Sequence, residues 1–197
     1  IPITQKENPL SSSAPFKILG MSGSLRKASL NTAALRAAVT LAPPNVTIEI
    51  ADISDLPLYN EDLRLNNGFP APVERLIAQT NAADAVLFAV PEYNYSISAP
   101  LKNAVDWISR GPTKPMAGKP YAMIGVSGGI LGTSRAQLQM RQMMISLDAM
   151  PINNPQVYIG TPKDKFDSEL NFIDPAGRDL IRQLLEKTVA LGRQLKA

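Results

Sequence analysis

The chain has 197 residues, 45% of them hydrophobic and 19% charged, which is room for one well-filled core and marginal for two. Its formal charge of +3 comes from Lys and Arg scattered along the sequence, too little to argue for a nucleic-acid protein, and no apolar run approaches the roughly 18 residues that span a bilayer. Cys and His are both absent, which excludes disulfides, a thiolate nucleophile, Cys or imidazole metal ligands and a general base poised near neutrality, so redox chemistry would come from a bound organic cofactor.

Residues 1–15, IPITQKENPLSSSAP, are polar, hold three prolines and a triple serine, and read as an extended or poorly ordered arm. They lack the charged head and long apolar run expected of a signal peptide, and a cytoplasmic location is the default expectation. From Phe16 onward, strand and helix patterns alternate. FKILGMS (16–22) reads as a buried strand, and 31–41 carries Ala34, Leu35, Ala38 and Leu41, with Leu30 before them, at helical spacing. NVTIEIADI (45–53) is a β-branched strand entered through Pro43 and Pro44, and a polar loop covers 55–72. A helix over 72–83 leads to DAVLFAV (84–90), an apolar strand buried on both faces, then to the loop PEYNYSIS (91–98).

The next helix, 99–110, places Leu101, Ala104, Val105 and Ile108 on one face, with Pro100 near its start and Gly111 past its end. PYAMIGVS (120–127) is a fourth strand, GGILGTS a small-residue loop, and 135–150 a helix. QVYIG (156–160) is a short fifth strand, and a final helix runs over 175–196. Five strands alternating with five helices predict one α/β domain over 16–197: a doubly wound, five-stranded parallel sheet with helices on both faces.

In such a sheet, ligands bind beyond the carboxyl ends of the strands, where the strand order reverses. The loops after strands one, three and four share that edge. The first, SGSLRKASLN, combines a helix start with hydroxyl and amide side chains (Ser24, Ser29, Asn31, Thr32) and the cation Arg26, a combination suited to an anion such as a phosphate. It is neither a P-loop nor the G-x-G-x-x-G fingerprint, and the plainer reading of Ser29 or Asn31 is a helix cap. In the second loop, Tyr93 and Tyr95 could wall a planar ring, or pack on the following helix as ordinary core rim. In the third, Ser127, Gly128 and Gly129 let the backbone approach a ligand, although two glycines also make plain turns. Asp52 reads as solvated or as a turn residue, and Trp107 as packing between elements or at a subunit contact.

GSLRKASLN (23–31), followed by PEYNYSISAPLKNAVDWISR (91–110), closely resembles the NADPH-dependent FMN reductase family, in its branch of flavodoxin-like quinone, chromate and azo-dye reductases. The resemblance runs from Phe16 to the last helix. It implies a flavodoxin-like sheet of order 2-1-3-4-5 and bound FMN, with NADPH or NADH as hydride donor. By the resemblance, the stretch Ser24, Leu25, Arg26, Lys27, Ala28, Ser29, Leu30, Asn31 and Thr32 surrounds the FMN phosphate. Pro91, Glu92, Tyr93 and Asn94, with Tyr95 adjacent, line the ribityl chain and ring edge, while Ser127, Gly128 and Gly129 close the opposite side. It also implies a dimer or tetramer with the flavin near a subunit interface, while the composition leads us to expect no metal, nucleic-acid or membrane partner.

The expected mechanism is a two-step shuttle in which flavin N5 takes hydride from NAD(P)H and a quinone or similar oxidant then removes it, giving ping-pong kinetics with no catalytic side chain. Two alternatives stay open. A flavodoxin-type electron carrier usually presents an acidic face, whereas this chain is net positive. A flavin reductase would use FMN as a dissociable substrate rather than a prosthetic group. A nicotinamide-binding regulator of the Rossmann type lacks its glycine fingerprint.

Overall fold

Strand β1 (Phe16–Ser22) is buried at every residue but Lys17, as a central strand covered on both faces must be. Side chains alternate across it: Phe16 and Ile18 enter one core, Leu19 and Met21 the other. The computed structural model describes residues 14–196, so the expected arm falls, up to residue 13, outside the described residues. Helix α1 (Leu30–Thr40) leads to β2 (Val46–Ala51), short α2 (Glu61–Asn67), α3 (Ala71–Ala82) and β3 (Ala85–Ala89). Strands β4 (Glu92–Tyr93) and β5 (Ser96–Ile97) precede α4 (Ala99–Ile108), β6 (Pro120–Val126) and α5 (Ser134–Ser146). Then come β7 (Met150–Pro151), β8 (Val157–Ile159), a 3-10 turn at Pro162–Asp164 and α6 (Pro175–Gln194).

The main sheet has six parallel strands in the order β2-β1-β3-β6, with both β7 and β8 on the outer side of β6. The expected fifth strand, β8, does lie beside β6, and the correction to the expected sheet is the added strand β7 on the same edge. Strand β7 pairs with Pro120 and Tyr121, and β8 with Ile124, Gly125 and Val126, so two short strands share one edge. The extra strand arises because α5 stops at Ser146, four residues before the expected end, and Asp148 takes a left-handed turn (φ 54°) that brings Met150 back to the sheet. Two other elements differ from expectation. The loop over 91–98 contains the antiparallel β4–β5 hairpin, a separate two-stranded sheet. The polar loop over 55–72 contains α2, started by Asn60, whose side chain accepts from the Asp62 amide; α2 buries none of its residues, so it has no apolar period to read.

Helices α1 and α6 cover one face through Leu35, Ala38, Ile181, Leu185 and Val189. Helices α3, α4 and α5 cover the other through Leu76, Leu101, Ile108, Met140 and Met144. Trp107 packs between elements, as one reading had it. It is fully buried, donates from Nε1 to the Pro57 carbonyl at 2.8 Å, and meets the Tyr59 ring edge-on. Asp52 accepts from the Ser54 amide at 2.9 Å, a turn residue. At the amino edge of the sheet, burial pushes the Lys119 ammonium down to about 8 while it donates to the carbonyl of Thr80 at the end of α3. Among the described residues, no helix is long and apolar enough to cross a membrane.

Candidate functional site

The order of the sheet reverses at β1. The connection leaving it crosses to β2 through α1 on one face, and α4, which follows β3, lies on the other. A crevice must therefore open between the carboxyl ends of β1 and β3, and the three loops singled out in the sequence meet there.

The first loop is held from below. Ser22 and Thr32 hydroxyls share a hydrogen bond of 2.7 Å, and Ser98 Oγ donates to the Gly23 carbonyl at 2.7 Å. A Cβ on Gly23 would lie 2.5 Å from Ser98 Oγ and 2.6 Å from the Pro91 ring, so only glycine lets the first two loops touch. Ser29 is the N-cap of α1, accepting from the Thr32 amide at 3.1 Å. The cap reading and the anion reading are thus compatible. The amides of Leu30 and Asn31, the first two residues of α1, have no acceptor within the helix. They sit at the positive end of the helix dipole and beside the cleft, a setting suited to an anion.

Asn31 does something the sequence did not reveal. Its side chain donates to the Val126 carbonyl at 3.0 Å and accepts from the Val126 amide at 2.9 Å. This buried pair ties the start of α1 to the end of β6 and so fixes the first loop relative to the third. Val126 also lines the crevice, although an apolar strand residue gives no sequence signal of a backbone role.

The crevice itself is a cleft of about 170 Å³ lined by Ser24, Arg26, Ser29, Leu30 and Asn31 from the first loop; by Pro91, Glu92 and Tyr93 from the second; and by Ser127 and Gly128 beside Val126 from the third. Pockets for whole small molecules run to roughly 300–1,000 Å³, so this cleft has room for one end of such a molecule. A Cβ on Gly128 would meet nothing within 4 Å, so no protein atom demands glycine there, and the space above it is free for a ligand. A larger groove of about 380 Å³ between α4 and α5 lies toward the opposite ends of those helices, around Asp106, Arg110 and Ser146.

Several expected site residues sit outside the cleft. Leu25, Lys27 and Ala28 are exposed and do not line it. Thr32 Oγ1 is engaged by Ser22 and the Ser24 carbonyl, and Gly129 lies just beyond the lining residues, its amide donating to Ser127 Oγ at 3.3 Å. Asn94 and Tyr95 occupy the turn of the hairpin rather than the cleft wall. Glu92 lines the cleft, but its carboxylate points into the protein, only 4% exposed. It accepts from the amides of Arg135 (3.1 Å) and Ala136 (3.2 Å) at the start of α5, and pairs with the Arg135 guanidinium. Of the lining side chains, this leaves Arg26 as the cation and Tyr93, 48% exposed, as the flat wall.

The arrangement is therefore an anion cradle opening onto an aromatic wall and a glycine-lined floor. A family model described as NADPH-dependent FMN reductase matches residues 16–164. The chain belongs to the NADPH-dependent FMN reductase family. It is 50% identical over 181 residues to an NAD(P)H-dependent FMN reductase of Pseudomonas aeruginosa, an alignment covering 92% of this chain and 97% of that one. It is 44% identical over 175 residues to an NADPH:quinone oxidoreductase of Arabidopsis thaliana, covering 86% and 88%. Among solved structures, the flavoenzyme NAD(P)H:(acceptor) oxidoreductase FerB of Paracoccus denitrificans superposes with a TM-score of 0.82 at 30% identity, over 91% of this chain and 98% of that one. As a member of the FMN reductase family, the protein is an enzyme, an FMN-dependent NAD(P)H oxidoreductase of the flavodoxin-like branch.

Proposed function

We propose that this enzyme reduces quinones, and oxidants of similar shape such as azo dyes or chromate, with electrons from NAD(P)H relayed through FMN at the carboxyl-edge cleft. One observation carries the assignment of the site: the start of α1, whose Leu30 and Asn31 amides have no acceptor within the helix, lines the cleft together with Ser24, Arg26 and Ser29, a donor set that fits a phosphate dianion. The space over Gly128 and the Tyr93 wall fit a planar ring extending from that phosphate.

Bound FMN supplies reversible storage of a hydride equivalent, chemistry that no side chain here can provide. In this reading, the loop amides and Arg26 bind the phosphate, Ser24 and Ser29 add hydroxyls, and the Pro91–Tyr93 segment orients the ribityl chain and one ring edge. Ser127, Gly128 and Gly129 close the opposite side with backbone. Because the rim is open, donor and acceptor take turns over the same surface, and little shape selection is imposed on the acceptor. Leu138 and Ile145, exposed on α5, support a homo-oligomer, and the need for NAD(P)H supports a cytoplasmic setting.

The test is spectroscopic. The purified protein loaded with FMN should be yellow, bleach on anaerobic addition of NADPH, and regain colour on addition of a quinone. Steady-state rates should give parallel double-reciprocal lines. Intersecting lines, or bleaching that no quinone reverses, would contradict the shuttle. The small size of the enclosed cleft favours a second reading, FMN as a dissociable substrate. Loss of colour on gel filtration would decide for it.

A further inference from the structure

The β4–β5 hairpin, whose first strand carries the Tyr93 wall, has two residues a side and cannot hold its own shape. Its two turn residues both have left-handed backbone, Asn94 at φ 51° and Tyr95 at φ 66°, as the tight hairpin turn that matches strand twist requires. Asn tolerates that conformation through its short polar side chain; Tyr does not. Something outside the hairpin must therefore impose it.

The first turns of α5 supply the restraint. Arg135 and Gln139, four residues apart, share one face of the helix. The Gln139 side chain donates to the Tyr95 carbonyl at 3.0 Å and accepts from Ser96 Oγ at 2.6 Å. The Arg135 guanidinium carbon lies 3.9 Å from the centre of the Tyr95 ring, a ring otherwise 67% exposed, so a cation takes the place of an apolar floor. Arg135 is itself fixed, because Nε donates to Glu92 Oε1 at 2.5 Å and Nη2 pairs with the same carboxylate. With its edge on Glu92 and its face on Tyr95, this guanidinium is committed to the protein.

Resting on the flavin reading above, we propose that Arg135 is a positioning residue: clasped between Glu92 and Tyr95, it holds the hairpin closed against the cleft and so sets how long FMN is retained between turnovers. It touches neither cofactor nor substrate. Its effect is on release of the flavin, through the position of Tyr93.

The experiment measures FMN release from loaded holoenzyme, as the rise of free-flavin fluorescence after dilution. Arg135→Ala should release FMN at least tenfold faster than wild type and alter the visible circular dichroism of the bound flavin. Its kcat at saturating added FMN should stay within twofold of wild type while KM for FMN rises. Arg135→Lys, which keeps a cation between Glu92 and the ring, should recover part of the retention. Arg141→Ala removes an arginine from the same helix that donates to Asn153 and the Ile152 carbonyl, and should leave release unchanged. If Arg135→Ala fails to fold, Gln139→Ala decides, with release at least threefold faster. Wild-type release rates in either folded variant would overturn the clasp alone. A wild-type protein that takes up no FMN would overturn the flavin reading and the clasp with it.

Discussion

Asn31→Ala is expected to lower the stability of the flavin-free protein by about 2–4 kcal/mol, because it leaves a buried N–H and a buried C=O of Val126 without partners, each at about 1–3 kcal/mol. For a chain of this length, that is a fall in Tm of roughly 5–15 °C, read by calorimetry or by chemical denaturation. Asn31→Asp should recover little: one carboxylate oxygen could still accept from the Val126 amide, but the other would face the Val126 carbonyl with no proton to give. The same change should weaken FMN binding, since the tie between α1 and β6 sets the spacing of the first and third loops. A loss below about 1 kcal/mol would mean that the two loops are held by something else.

Arg26→Ala should act on the ligand and not on the fold. Arg26 is exposed and lines the cleft, so it should contribute a charge-assisted hydrogen bond to the phosphate worth about 1.5–3 kcal/mol. That corresponds to roughly 10–150-fold weaker FMN binding, measured by fluorescence quenching on titration. The Tm of the flavin-free variant should match wild type. A flavin affinity within twofold of wild type would remove Arg26 from the cradle.

The α/β class was legible because period and composition agreed along most of the chain. β3, AVLFA, is apolar at every position as a strand buried on both faces must be, and α4 carries its apolar face between Pro100 and Gly111. Failures came where tertiary contacts overrode local signals. Leu147 and Ala149 continue the apolar period of α5 through to Met150, whereas the helix ends at Ser146 and the left-handed Asp148 frees Met150 for β6. The hairpin at 92–97 leaves no signal in the sequence because its turn is Asn-Tyr rather than Asn-Gly, so the residue that usually betrays left-handed backbone is absent.

For the site, convergence of three loops on one edge followed from the alternation of parallel strands with helices, and ten of the residues expected there line the cleft. What the sequence concealed is which functional-looking side chains are occupied by the protein itself. Glu92, Asn31 and Thr32 all look like ligand-binding polar residues, yet their side chains bond to α5, β6 and the first loop respectively. Hydrogen-bond partners 43 and 95 positions away leave no trace in local spacing. The converse also holds. Leu30 carries no polar side chain, yet it lines the cleft at the start of α1, where its amide has no acceptor within the helix.

The central claim is that the amides of the turn after β1 grip a phosphate, and the most direct measurement is a paired titration of the flavin-free protein with FMN and with riboflavin, which differ only in that group. The account predicts saturable one-to-one uptake of FMN and binding of riboflavin at least a hundredfold weaker. Equal affinities for the two, or no saturable uptake of FMN, would contradict it.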